Sequence, residues 1–525
     1  MAQPGCGGDP LPSRRMTLTE VSPPEQTPPT GGASTTIDRA LLTVAAVVVL
    51  GTIMTILDTT VVNVAINTLA AKFHTTLPTI QWVATGYTLA LATVIPLSGW
   101  IADRFGTKRL YMTSIALFVV GSALSGLATS TDEIIFFRVL QGLGGGMIMP
   151  AGMTILTRAA GTERIGRVMA IIGVPMMIGP IMGPVLGGWL VTDVGWRWIF
   201  FINAPIGVLA LLFAARVLPK DVGKTADKLD FIDLLLVSPG LALLIYGLAE
   251  SDSSGGFGAT KVWATMLAGA VLLGAFVVHA LRAENPLIDL RLFKNRTFAT
   301  SSMTLVLVAI SVFGSFLLLP LYFQAVRGET PLQSGLLLIP QGLGSMLAMP
   351  IAGTLADRTG SGRIVPFGLL PVIGSVLWLT QIGARTSYVA ISVDMFVFGI
   401  GMGFTMMPVF TGAIQSLRDA AVARATTALN ILQQTGASIG TAVLSVLLAS
   451  ALVDQLGHHR GTLEYAARAS HTVRMAIAPH QALAFGHTFW WALGLLVVAF
   501  FGSLLLPKSK PTAQDGEGAP ILASL

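Results

Sequence analysis

Asp58 is the one acidic residue in the apolar run 40–64. A carboxylate at that depth in a lipid-spanning segment costs roughly 2.5–3.5 kcal/mol, so it is expected to face a cavity and to do a job there. Burial penalises its charged form and an approaching cation favours it. Exchange of a proton for a cationic or polar cargo needs that pair of opposing effects. The plainer alternative is an acid satisfied by Thr59, Thr60 or the backbone. Arg138 stands a few residues inside another apolar run, 134–156, with Gln141 one turn further on. Its guanidinium can snorkel to headgroups beside Asp132 and Glu133. It can instead enter a central cavity and tune an acid such as Asp58, with Gln141 joining through water. Asp394, about two turns into the run 387–410, is a second candidate proton site. Asn63, Gln141, Asn430 and Gln433 are the amide side chains placed to hydrogen-bond a cargo or to join helices.

These residues must be held by spanning elements. The 525-residue chain is 53% hydrophobic and only 11% charged, whereas soluble proteins are about 25% charged. That balance excludes a soluble enzyme, a disordered protein and a coiled coil. Apolar runs long enough to span recur from Ala40 to about residue 506, about fourteen in all. They must be helices, because backbone groups in lipid bond internally. Residues 1–38, rich in Pro, Gly, Ser and Thr, read as a disordered tail, and 507–525 as a second tail. Lys and Arg concentrate after the even-numbered runs, as in Arg104, Lys108 and Arg109, then Arg158, Arg164 and Arg167. Even loops and both termini are therefore expected in the cytoplasm.

One loop occurs twice. Gly99, Asp103, Arg104, Gly106 and Arg109 frame a segment that returns 254 residues later (99 to 353) with Gly353, Asp357, Arg358, Gly360 and Arg363. Both copies follow an even run, which is the mark of parallel six-span repeats. The spacing implies an N-terminal six-helix bundle over 39–217, a linker with two inserted helices over 218–297, and a C-terminal bundle over 298–506 that includes an outer loop at 453–485. A duplicated charged turn is expected to act as a conformational latch, with Asp103 facing the start of a neighbouring helix.

The loop resembles the signature of the major facilitator superfamily. The chain over about 40–506 is similar to its fourteen-span proton-coupled drug exporters of the EmrB/QacA type. Leu57 to Asn67 resembles their span-one motif, although Asn67 stands where proline is usual. Arg138 to Gly144 resembles the span-four motif, and Trp196 to Gly207 the entry to span six. Gly179, Pro180, Gly183, Pro184, Gly187 and Gly188 resemble the span-five antiporter motif. The glycines at every fourth position give a close-packing face, and the prolines are expected to bend a seam that opens and closes. The resemblance implies an all-α membrane protein of two six-helix bundles plus two central helices. It implies multidrug efflux by alternating access, driven by a proton gradient, in the cell membrane, with export of a native lipid, siderophore or peptide as the alternative.

The expected partners are an amphipathic small molecule, with cationic compounds among the candidates, protons and the lipid bilayer, with no nucleic acid; the expected working unit is a monomer. No cofactor or metal site is expected. The lone Cys6 cannot form an internal disulfide. The histidines at 458, 459, 471, 480 and 487 are irregularly spaced. No phosphate-binding loop with its lysine is present, which speaks against ATP hydrolysis. Gly399, Gly401 and Gly403 follow no strand and are expected to pack helices. The Met-rich stretches around 346–349 and 402–407 could line an adaptable pocket, although methionine is common in such cores. A membrane-embedded enzyme would need carboxylates or histidines gathered at one depth, and a channel would need a filter loop or charge rings. Neither pattern is visible.

Overall fold

The computed structural model describes residues 39–160, 179, 182–183, 185–219, 229–253, 259–284, 286–415, 417, 422–457 and 471–507. Among the described residues, twelve helices are long and apolar enough to cross a membrane. A thirteenth span arises if one bent pair is counted as a unit. The expected run at 166–190 lies largely outside the described residues. Large apolar side chains such as Phe136, Leu235, Trp263, Phe367 and Trp491 are exposed. Polar ones such as Asp58, Arg138, Gln141 and Asn203 are buried, an arrangement suited to lipid as the outer solvent.

The N-terminal bundle begins with α1 (Arg39–Lys72), which runs without a break through Asn67. The bent pair is α2 (Trp82–Val94) and α3 (Leu97–Phe105), which meet at 54°. Pro96 stands at that break; proline has no N–H for the ladder and its ring crowds the preceding turn. Next come α4 (Thr107–Leu127), α5 (Thr131–Ala160) and α6 (Asn203–Val217). At the start of α5, Glu133 accepts from the N–H and hydroxyl of Thr129, while its own N–H donates to Ser130. Glu133 is thus engaged in capping its own helix.

Glycines set how closely α5 can approach its neighbours. A Cβ on Gly144 would lie 2.5 Å from the backbone nitrogen of Phe118 in α4. One on Gly142 would lie 2.5 Å from the carbonyl oxygen of Tyr87 in α2. Close approach on both flanks places the α5 side chains within reach of α1, α2 and α4 together.

The inserted pair is α7 (Phe231–Ser253) and α8 (Thr260–Arg282). α7 packs on α2 and donates Ser238 Oγ to the Thr93 carbonyl at 2.6 Å. α8 is peripheral: 17% of its most apolar window is buried, against 56% for α5.

The C-terminal bundle holds α9 (Arg296–Ala325), α10 (Ile339–Thr359), α11 (Ser361–Leu379), α12 (Tyr388–Gln415), α13 (Val422–Leu456) and α14 (His471–Ser503). Asn295 caps α9 by accepting from the N–H groups of Thr297 and Phe298. α14 starts at His471, so residues 471–485, expected in an outer loop, are helical and continuous with the last span. Gly399, Gly401 and Gly403 pack as expected: added Cβ atoms would meet Gln341, Val372 and Ala348. Met349, Met402, Met406 and Met407 are buried in the core, and Met346 is exposed. α7 also packs on α13, so the inserted pair touches both bundles.

Candidate functional site

The buried acid and the buried base meet. Asp58 on α1 and Arg138 on α5 are each 1% exposed, and Arg138 Nη1 lies 2.6 Å from Asp58 Oδ2. The same nitrogen donates to Gln141 Oε1 at 2.8 Å, and Gln141 Nε2 donates to Asp58 Oδ1 at 2.8 Å. Asn203, the first residue of α6, donates from Nδ2 to Asp58 Oδ1 at 3.0 Å and to Ser122 Oγ on α4 at 3.0 Å. Arg138 Nε donates to the Val83 carbonyl at 3.0 Å, and the guanidinium lies 4.1 Å from the centre of the Tyr87 ring. Five helices therefore contribute to one enclosed polar cluster.

This arrangement corrects the open cavity expected at Asp58 and the water expected at Gln141, and it decides between the two readings of Arg138. Asp58 does not line an open cavity: it is sealed inside the N-terminal bundle and receives three side-chain donors. Arg138 does not snorkel, because its partners are the acid, an amide, a carbonyl and an aromatic face. Gln141 bonds Asp58 directly rather than through water. A buried ion pair of this kind is nearly neutral in net stability when intact, but losing one partner costs about 3–5 kcal/mol. Sequence reading missed Asn203, Ser122 and Tyr87. Asn203 lay inside a motif, yet nothing linear marks which motif residue points at the acid.

The first copy of the repeated loop sits where the bundles touch. Gly106 has φ 91° and ends α3 in a turn that favours glycine. Gly99 is buried, while Arg104 and Arg109 are exposed. Asp103 Oδ1 is 3.5 Å from Arg158 Nη2 on α5, and Oδ2 is 3.9 Å from Arg424 Nε on α13. One turn back, Ser98 Oγ and Thr427 Oγ1 are 3.1 Å apart and buried. These contacts join the N-terminal bundle to the C-terminal one. The Asp103, Arg158 and Arg424 side chains are 22%, 39% and 31% exposed, so each ion pair is worth only about 0–1 kcal/mol. Lys108 bonds the carbonyls of Ala215 and Leu218, tying α4 to the end of α6.

The second copy repeats the backbone. Gly360 has φ 85° and ψ 151°, against 91° and 148° at Gly106. Arg358 is exposed, and the side chain of Asp357 lies outside the description. Of the span-five residues, Pro180 and Pro184 lie outside the described residues. Added Cβ atoms on Gly179 and Gly183 would collide with Ile56 and Thr60 of α1, and one on Gly187 would come 3.2 Å from Val61, while Gly188 meets nothing within 4 Å. The close-packing face is therefore turned to the helix that carries Asp58.

Asp394 is remote from the Asp58 cluster. It lies on α12 and accepts from Ser375 Oγ on α11 at 2.7 Å. Among the described residues no Lys or Arg stands at ion-pair distance from it. Asn63 is exposed on α1, Asn430 donates to the Thr426 carbonyl on its own helix at 2.8 Å, and Gln433 is half-buried. A cavity of ≈ 260 Å³ lies between α2, α7, α9 and α13, and none of the four amide candidates lines it. Its wall combines Ile245, Leu248 and Leu317 with the hydroxyls of Thr88, Ser438 and Thr441. Of the sequence's outer histidines, 458 and 459 lie outside the described residues.

The defining pattern of the Major Facilitator Superfamily matches residues 48–441. The chain is 46% identical over 415 residues to a protein named "Multidrug resistance protein B homolog" from Mycobacterium tuberculosis, covering 78% of this chain and 77% of the relative. It is 30% identical over 410 residues to "Multidrug export protein EmrB" from Haemophilus influenzae, covering 78% and 80%. It is 31% identical over 412 residues to "Tetracenomycin C resistance and export protein" from Streptomyces glaucescens, covering 78% and 76%. In fold it is similar to the proton:xylose symporter XylE, with a TM-score of 0.57 and 15% identity over 90% of this chain and 96% of that one.

Proposed function

Since the chain belongs to the major facilitator superfamily and is a multi-pass membrane transporter, we propose that it is a proton-coupled multidrug exporter. It works by alternating access in the cell membrane, with both termini in the cytoplasm. The observation that carries this reading is the sealed cluster of Asp58, Arg138, Gln141 and Asn203. A proton arriving on Asp58 neutralises it and turns an acceptor-only carboxylate into a donor. Arg138 then loses its counter-charge, and the α1–α5 contact must rearrange. The glycine face of Gly179, Gly183 and Gly187 packs against the same stretch of α1, so a shift there reaches the seam. Release of the proton inside restores the pair and resets the carrier.

The excess of Lys and Arg in the even loops supports a cytoplasmic Asp103 end. Contacts from α3 and α5 to α13 hold that end together. Asp103 and Arg424 then form the inner latch. The cavity wall of aliphatic groups and hydroxyls suits an amphipathic compound. The similarity to relatives named for multidrug resistance and export supports the same reading. The working unit is a monomer with its energy drawn from the proton gradient. Purified protein in liposomes, given an imposed pH gradient and a panel of cationic and neutral dyes, tests the proposal. Gradient-driven dye movement is expected from the native chain and not from Asp58→Asn. Coupling unchanged in that variant would reject Asp58 as the proton carrier.

A further inference from the structure

At the base of the inserted pair, three metal-ligating side chains converge that play no part in the transport cluster. Asp230 immediately precedes α7, Asp233 lies in its first turn, and His279 lies in the last turn of α8. His279 Nε2 is 3.0 Å from Asp230 Oδ2 and 3.8 Å from Asp233 Oδ1, and all three ligand atoms lie within 4.8 Å of one another. An ion bound at roughly 2.0–2.2 Å from each donor needs donors spaced in this range.

The decisive feature is Asp233. Its side chain is fully buried, and Oδ2 accepts from the Leu287 N–H at 2.8 Å. Oδ1 has no hydrogen-bond partner and faces His279. An enclosed carboxylate oxygen left unmet calls for an explanation, such as an ion. Asp230 is oriented in its turn by the N–H groups of Ile232 and Asp233, which both donate to Oδ1 and leave Oδ2 toward the cluster. The carbonyl end of α8 adds negative potential beside His279, which favours a cation. The side chains of His279 and Asp230 are 30% and 19% exposed, so an ion can enter and complete its shell with water.

The geometry points to a divalent transition-metal site formed by Asp230, Asp233 and His279, of the Zn²⁺ class. Two carboxylates balance the ion's charge, and one neutral imidazole supplies the nitrogen ligand. Through Leu287 the site also holds the segment that leads on to α9, so the ion would staple the bases of α7 and α8 to that connection. The site shares no residue with the Asp58 cluster or with the cavity wall.

The test is metal counting on the full-length chain in lipid nanodiscs, stripped with a chelator and equilibrated with micromolar Zn²⁺. The chain has seven histidines, so the native protein is compared with His279→Gln and Asp233→Asn. Each variant is expected to bind one ion fewer, and Zn²⁺ is expected to raise the Tm of the native chain by several degrees but not that of His279→Gln. Equal ion counts in all three proteins, or no ion bound by the native chain, would overturn the site. Should a variant fail to fold, X-ray absorption on the native protein decides instead. One imidazole with carboxylate oxygens supports the site, and coordination by several imidazoles overturns it.

Discussion

The two six-helix bundles share a plan and differ in what they bury. In each, a glycine-rich helix packs between two neighbours: α5 through Gly142, Gly144 and Gly146, and α12 through Gly399, Gly401 and Gly403. On α5 the residue one turn ahead of the glycines is Arg138, locked to Asp58, Gln141 and Val83. On α12 the charged residue in the matching stretch is Asp394, held by one serine. The common scaffold is thus built from backbone contact. The charge network exists only where a second helix supplies the opposite sign. One bundle encloses a paired acid and base, and the other encloses an acid held by a neutral hydroxyl.

The largest effect should come from Arg138→Leu. It leaves Asp58 enclosed without its counter-ion, and a destabilisation of about 3–5 kcal/mol is expected, read as a loss of folded protein in thermal unfolding. Combining it with Asp58→Leu should restore most of that stability while transport stays uncoupled from pH. A double variant as unstable as the single one would show that the pair is not the unit.

Gly144→Val comes next. Its side chain would enter the α4 backbone at Phe118, an overpacking cost of about 1–3 kcal/mol. Gly401→Val meets Val372 in the other bundle and should cost a similar amount. Only the first should also weaken the dependence of transport on the pH gradient, because only the first displaces Arg138. Equal effects on coupling would erase the contrast between the bundles.

Asp103→Asn should change stability by about 1 kcal/mol or less, since its ion pairs are solvent-exposed. It is expected to slow turnover several-fold and to leave substrate affinity unchanged. A change in affinity alone would argue against a latch. The smallest effect is expected from Asp394→Asn, which keeps an acceptor for Ser375 and loses only charge. A measurable change in proton stoichiometry there would make the C-terminal bundle a second coupling site and narrow the difference between the two.

Much of this was legible in the residues. The helical spans follow from apolar run length, and the repeated loop from the Gly-x-x-x-Asp-Arg-x-Gly pattern. Gly106 and Gly360, the matching glycines of the two copies, adopt closely similar turns. Asp58 and Arg138 were found because charge in a lipid-spanning run is expensive, and Gln141 because it stands one turn from Arg138 in the span-four motif. Asn203 was passed over because nothing in the linear motif marks which of its residues turns toward the acid. The grouping of Asp230, Asp233 and His279 was hidden because 49 positions separate its ends. The start of α14 at His471 was missed because its first turns are polar.

The sequence by itself determined a helical membrane protein and the few side chains too costly to bury without purpose, because transfer into lipid is priced residue by residue. The tertiary structure alone decided which of them meet. Whether Asp58 faces Arg138 or open water, and whether Asp103 reaches Arg424, depends on helix rotation and on close approach at glycines. Those are set by packing between segments far apart in the chain.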